Sequence, residues 1–139
     1  MDKLHLGVDT SNYTTSLSLV CDGKVIKNVR RLLPVKEGEK GLRQSDAVFL
    51  HTKALPELAS ELFSDGYNPE MLASVGVSVS PRDEKGSYMP CFLVGAGAAR
   101  EFGALLRVPV HFFTHQQGHV AAALYGSGNL QWRHQPFLA

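Results

Sequence analysis

The stretch Leu4-His5-Leu6-Gly7-Val8-Asp9-Thr10-Ser11-Asn12-Tyr13-Thr14-Thr15-Ser16-Leu17-Ser18-Leu19-Val20-Cys21-Asp22-Gly23 carries most of the fold information in this 139-residue chain. Leu4–Val8 reads as a short, largely apolar strand that runs into the turn-prone polar group Asp9-Thr10-Ser11-Asn12. Thr14–Cys21 alternates hydroxyl and apolar side chains and predicts a second strand. Asp22-Gly23 is a hairpin signal, and Lys24–Leu33 returns as a third strand. The chain therefore opens with three antiparallel strands.

Working outward, Pro34–Gly41 is charged and contains glycine, which predicts a loop. Ala47, Leu50, Ala54, Leu58 and Leu62 recur at three- and four-residue spacing. They predict a helix from Ser45 or Asp46, either of which could cap it, to Phe63. Pro56 inside that pattern points to a kink. Leu72–Val79 predicts a fourth strand, and Pro81–Pro90 an irregular polar loop. Cys91–Leu106 suits a helix whose Gly95, Gly97 and Gly103 allow close packing. Val108–Phe113 predicts a fifth strand and Thr114–Tyr125 a third helix, stopped by Gly126-Ser127-Gly128-Asn129. The order β-β-β-α-β-α-β-α implies an α/β fold of the ribonuclease-H-like class, a mixed five-stranded sheet with helices packed on it. Residues 1–134 read as one such lobe. Residues 135–139, a turn and the first residues of another strand, read as the start of a truncated second lobe.

Composition narrows the classes. Fourteen Lys and Arg against 13 Asp and Glu leave a net charge of +1, so no basic field marks the whole chain as a nucleic-acid binder. A hydrophobic content of 44% is ample for a core and excludes disorder as the main state. Two cysteines, Cys21 and Cys91, are too few for a disulfide scaffold. The first residues show no basic-then-apolar leader, so a cytoplasmic protein is expected. Val108–Trp132 lacks charged residues but is interrupted by His111, His115, Gln116, Gln117 and His119, which argues against a membrane span.

Two constellations could carry chemistry. Asp9-Thr10-Ser11-Asn12-Tyr13-Thr14-Thr15 sets a carboxylate at a strand end beside hydroxyls and backbone N–H groups, a combination that can hold a metal-bound phosphate. An ordinary turn capped by Asp and Ser side chains explains the same residues. His115-Gln116-Gln117-Gly118-His119 puts two imidazoles at i and i+4 on one helical face, within reach of a single metal ion. Two half-buried histidines are the alternative, because a site needs a third ligand and His111 lies in the preceding strand. With Gln117 where a Glu could sit, and no acid between the two histidines, this is not a general-base motif of the H-E-x-x-H kind. Gly95-Ala96-Gly97-Ala98-Ala99 reads as helix packing, Arg82-Asp83-Glu84-Lys85 as a solvated loop and Cys91 as a small core residue.

Gly7-Val8-Asp9-Thr10-Ser11, the helical stretch His51 through Leu58 with its Pro56, Leu93-Val94-Gly95, Val108-Pro109 and His115-x-x-Gly118-His119 together carry a family resemblance. The chain resembles the N-terminal lobe of the TsaD/Gcp proteins, the tRNA threonylcarbamoyladenosine-modifying family formerly called O-sialoglycoprotein endopeptidases. That resemblance implies an actin-like ATPase superfold and threonylcarbamoyl transfer to tRNA. It also implies ATP or an adenylate in the cleft of the full-length parent, and a divalent metal ion, iron or zinc, held by His115 and His119. Asp9, Thr10 and Ser11 match the phosphate-binding segment. The family's third metal ligand lies in a second lobe, so the isolated lobe is expected to be inactive and to hold no cofactor tightly. A homodimer, or a heterodimer with a family homologue, is the expected assembly, with tRNA reached through the full-length protein and no membrane partner. Where the family has C-D-E, this chain has Asn12, Tyr13 and Thr14. Ser80-Pro81-Arg82 replaces a Gly-Pro-Gly turn, and Gln117 replaces a Glu. These departures resemble a divergent paralogue and leave the catalytic residues unassigned. They keep a non-catalytic dimerising scaffold as the alternative. A metalloprotease rests on the old family name alone.

Overall fold

The computed structural model describes residues 3–11, 13–34, 43–80 and 90–115. Five strands and two long helices appear in the order β1 (Leu4–Ser11), β2 (Thr14–Cys21), β3 (Lys24–Leu32), α1 (Gln44–Leu62), β4 (Leu72–Ser80), α2 (Cys91–Leu106) and β5 (Val110–Thr114). A single turn of 3-10 helix, Pro69–Met71, leads into β4. The spatial order is β3-β2-β1-β4-β5. β2 runs antiparallel to both of its neighbours, β1 and β3, while β1, β4 and β5 run parallel.

Strand alternation decides what each face carries. Leu4, Leu6, Val8 and Thr10 on β1 are buried, as are Thr15, Leu17 and Leu19 on β2 and Val75 and Val77 on β4. Leu55, Leu58 and Leu62 of α1 and Ala99 of α2 meet that face and form one core with it. The opposite face carries His5, Gly7 and Asp9 of β1 beside Ser74, Gly76 and Ser78 of β4. Both helices lie on the first face, so the alternation separates a greasy side from a polar one.

Several local expectations need correction. Asp9, Thr10 and Ser11 are strand residues, because β1 pairs with β2 as far as Ser11 opposite Thr14 and so extends beyond Val8. β3 ends at Leu32, one residue short of the expected Leu33. The Asp22-Gly23 hairpin forms as expected, with both residues at positive φ, 53° and 76°. α1 begins at Gln44, which puts Ser45 and Asp46 inside the helix. Its N-cap is Arg43, without a side-chain cap. The helix continues through Pro56 to Leu62. Its buried stripe includes His51 and Leu55, while Leu50 is only half-buried. β4 runs one residue past Val79. β5 starts at Val110, since Pro109 has no N–H for the ladder and contributes only its carbonyl, to the N–H of Val75. Thr114 closes β5 rather than opening a helix. The remainder of the expected third helix, its Gly126–Asn129 stop and the polar loops over 35–42 and 81–89 lie outside the described residues.

α2 occupies Cys91–Leu106 as expected, and two of its three glycines explain its close approach to the sheet. A Cβ on Gly95 would stand 2.8 Å from Thr10 Oγ1 and 3.3 Å from Val8 Cγ1, and one on Gly103 would overlap Val110. Gly97 faces open space, so close packing does not require it.

Candidate functional site

The carboxyl ends of the three parallel strands lie along one edge of the sheet. In open α/β sheets this is the edge outside which ligands bind. It brings Asp9 of β1, Ser78 of β4 and His115, just past β5, together from positions 69 and 106 residues apart from Asp9. Asp9 Oδ1 accepts the Ser11 backbone N–H at 2.8 Å, a local turn that fixes one carboxylate oxygen. Oδ2 accepts the Ser78 hydroxyl at 3.2 Å and lies 2.9 Å from His115 Nδ1. With its Nδ1–H donated to Asp9, the imidazole is held in the tautomer whose Nε2 carries the lone pair, and its ring plane is set. Phe92, in the first turn of α2, meets the same ring edge-on with centroids 6.5 Å apart. Asp9 and His115 are both partly exposed, as groups facing a cleft need to be.

The expected phosphate-binding trio is divided by the strand alternation. Asp9 and Ser11 share the cleft side, but Thr10 points inward and is fully buried. Its hydroxyl donates to the Cys91 carbonyl at 2.9 Å and accepts from the Gly95 N–H at 3.0 Å. Those are the two groups that pair in a regular helix, so the Thr10 hydroxyl is wedged into the first turn of α2. Gln44 Oε1 also accepts the Cys91 N–H, tying α1 to the same turn. Thr10 thus seats α2 against β1. Cys91 is buried as a core residue, and burial pushes its thiol pKa up, away from nucleophilic use.

His119 lies outside the described residues, so the expected His115–His119 pair is represented by His115. Among the described residues no three His, Cys, Asp or Glu side chains gather as a metal cluster. His111 faces elsewhere. It lines a cavity of about 650 Å³ on the polar face, together with His5, Gly7, Ser74, Gly76 and Phe113.

Sequence reading missed His51 as a site residue. It is fully buried on α1, and its Nδ1 lies 2.7 Å from Thr15 Oγ1. Burial lowers its pKa, with a smaller opposing pull from the Ser11 carbonyl and then from the charge of Asp9. A signal was present: His51 falls four residues after Ala47 and three before Ala54, on the apolar stripe itself.

Comparison with known proteins bears on this geometry. No protein-family model matches the chain. It is 33% identical over 120 residues to the tRNA N6-adenosine threonylcarbamoyltransferase of Thermus thermophilus, covering 85% of this chain and 36% of the relative. The protein of that name from Pyrobaculum calidifontis is 31% identical over 126 residues, covering 89% of this chain and 35% of its own length. The chain thus spans about a third of the length of these relatives. Among solved structures, YeaZ from Pseudomonas aeruginosa superposes with a TM-score of 0.64 at 16% identity, over 91% of this chain and 50% of that one. Thermus thermophilus RuvC, in complex with a Holliday junction substrate, gives 0.51 at 16% identity, over 99% and 84%. The fold is a ribonuclease-H-like lobe, and the chain is similar in sequence to the threonylcarbamoyltransferases over about a third of their length.

Proposed function

We propose that this chain is a lobe of a protein acting in tRNA threonylcarbamoyladenosine modification, and that the carboxyl edge of its sheet takes a divalent metal ion and nucleotide phosphates. The observation that carries this reading is the Asp9–His115 contact. A histidine whose Nδ1 is tied to a carboxylate is the arrangement that orients an imidazole toward a metal. His115 and His119 would hold the ion. Imidazole donors suit iron or zinc, and such an ion supplies Lewis-acid polarisation of a carbonyl or phosphoryl oxygen. Asp9 orients His115, and Ser78 and the Ser11 N–H keep the Asp9 carboxylate from swinging away. Asp9 and Ser11 border the space for phosphates of ATP or an adenylate, while Thr10 supports them from behind. The homology to threonylcarbamoyltransferases supplies the reaction class, with tRNA as the acceptor of the whole protein. Among the described residues no helix is long and apolar enough to cross a membrane, and we assign the protein to the cytoplasm, where its tRNA acceptor is found.

Metal titration tests the reading. The chain should take up added zinc or nickel at neutral pH and release it on acidification, as protons compete for the imidazoles. His115→Ala and His119→Ala should abolish uptake, and Asp9→Asn should weaken it by about 10–100-fold. His134→Ala should leave it unchanged. Equal uptake by the His119→Ala and His134→Ala variants would refute the reading.

A second reading is a dimerising scaffold without its own catalysis. It is favoured by Tyr13, which presents a 44%-exposed phenol ring beside the site where the resembled family has acids. Phe49 on α1 and Leu93 and Leu105 on α2 are also exposed and offer apolar contacts to a second copy or a homologue.

A further inference from the structure

His51 lies beneath the last rungs of the β1–β2 ladder. Thr15, which contacts its Nδ1 at 2.7 Å, pairs across the ladder with Thr10, the residue between Asp9 and Ser11. The other ring nitrogen, Nε2, is buried and makes no hydrogen bond of ordinary geometry, with the Ser11 carbonyl near enough to act on the ring. Such orphaned side-chain nitrogens are uncommon in folded proteins, because the lost hydration goes unreplaced. The surroundings choose the tautomer. With a proton on Nδ1, Nε2 would present a bare lone pair to the negative potential of the Ser11 carbonyl and Asp9. With Thr15 donating to Nδ1, Nε2–H points its positive end into that potential, which is the favourable arrangement. Burial keeps the ring neutral, so this donor needs no counter-ion when the site is empty.

We propose that His51 is a further binding residue of the cleft: Thr15 fixes its Nδ1 as an acceptor, and Nε2–H donates to a phosphate oxygen held at the β1–β2 turn beside Asp9 and Ser11. The proposal rests on the phosphate reading given above and adds a donor from the interior of the lobe. His51 thereby links ligand binding to the α1 face as well as to the sheet edge.

The two amide substitutions separate the nitrogens. In His51→Asn the amide occupies the Nδ1 position and keeps a partner for Thr15 but removes the Nε2 donor. In His51→Gln the amide nitrogen stands near the Nε2 position. Binding of ATP with magnesium to the 139-residue chain, followed by NMR with nitrogen-15-labelled histidine, reads both states. The free chain should show His51 protonated on Nε2, and its resonance should move as ATP saturates. His51→Asn should bind ATP about tenfold more weakly, the scale of a hydrogen bond to a charged acceptor, and His51→Gln should recover most of that loss. A free chain with His51 protonated on Nδ1 would overturn the proposal, whatever the variants do. So would ATP binding that shifts the Ser11 amide while leaving the His51 ring unmoved, or unchanged affinity in His51→Asn. Failure of the wild-type chain to bind ATP at millimolar concentration would overturn both the phosphate reading and this one.

Discussion

Replacing Gly95 by alanine tests how the sheet edge is held in place. In an open helix the change would add about 1 kcal/mol of stability through helix propensity. Here the new Cβ would stand 2.8 Å from Thr10 Oγ1 and 3.3 Å from Thr10 Cγ2 and Val8 Cγ1, all part of the buried strand beneath. Overpacking of this kind costs about 1–3 kcal/mol. Pushing the Thr10 hydroxyl out of its wedge leaves buried polar groups poorly paired, at about 1–3 kcal/mol more. The two costs outweigh the propensity gain, so Gly95→Ala should lose between about 1 and 5 kcal/mol. Gly97 is the internal control. It lies on the same helix with nothing within 4 Å of its added Cβ, so Gly97→Ala should gain up to about 1 kcal/mol. Urea denaturation followed by far-ultraviolet circular dichroism measures both. In a Thr10→Ala background the penalty of Gly95→Ala should shrink by about 1 kcal/mol or more, since the clashing hydroxyl is gone. Equal stability of the Gly95→Ala and Gly97→Ala variants would refute the wedge, and with it the account of how β1 and α2 are registered.

Three other outcomes are expected. Thr15→Val removes the side-chain hydrogen-bonding partner of His51 Nδ1 and should cost about 1–3 kcal/mol in the same denaturation assay. Because burial lowers the His51 pKa, the unfolded chain binds a proton that the folded chain resists. Stability should therefore be complete above the unfolded value near pH 6.5 and decline as the pH falls through it, and His51→Asn should flatten that decline on a plot of unfolding free energy against pH. On the scaffold reading, sedimentation at high protein concentration should show a dimer that Leu93→Glu weakens, and a strict monomer in the wild type would count against it.

The line between what was legible in the linear chain and what was not follows interaction range. The alternating Thr14–Cys21 strand, the Asp22-Gly23 hairpin and the small-residue helix Cys91–Leu106 are local patterns whose period dictates backbone form, and the structure keeps their boundaries. The sheet class followed from their order. The reach of β1 to Ser11 did not, because pairing with β2 overrides the turn preference of Asp9-Thr10-Ser11. Nor did the division of that tripeptide. A period of two sends neighbours to opposite faces, but only the packing of α1 and α2 on one face makes Thr10 a buried wedge and leaves Asp9 at the cleft. The His115 motif was visible as residue types at a spacing, whereas its carboxylate partner is 106 residues away and is supplied by parallel strand register. The role of His51 was hidden for the same reason. In the sequence it is a polar residue on an apolar stripe, and only the tertiary structure sets one of its nitrogens against Thr15 and leaves the other unpaired beneath the site.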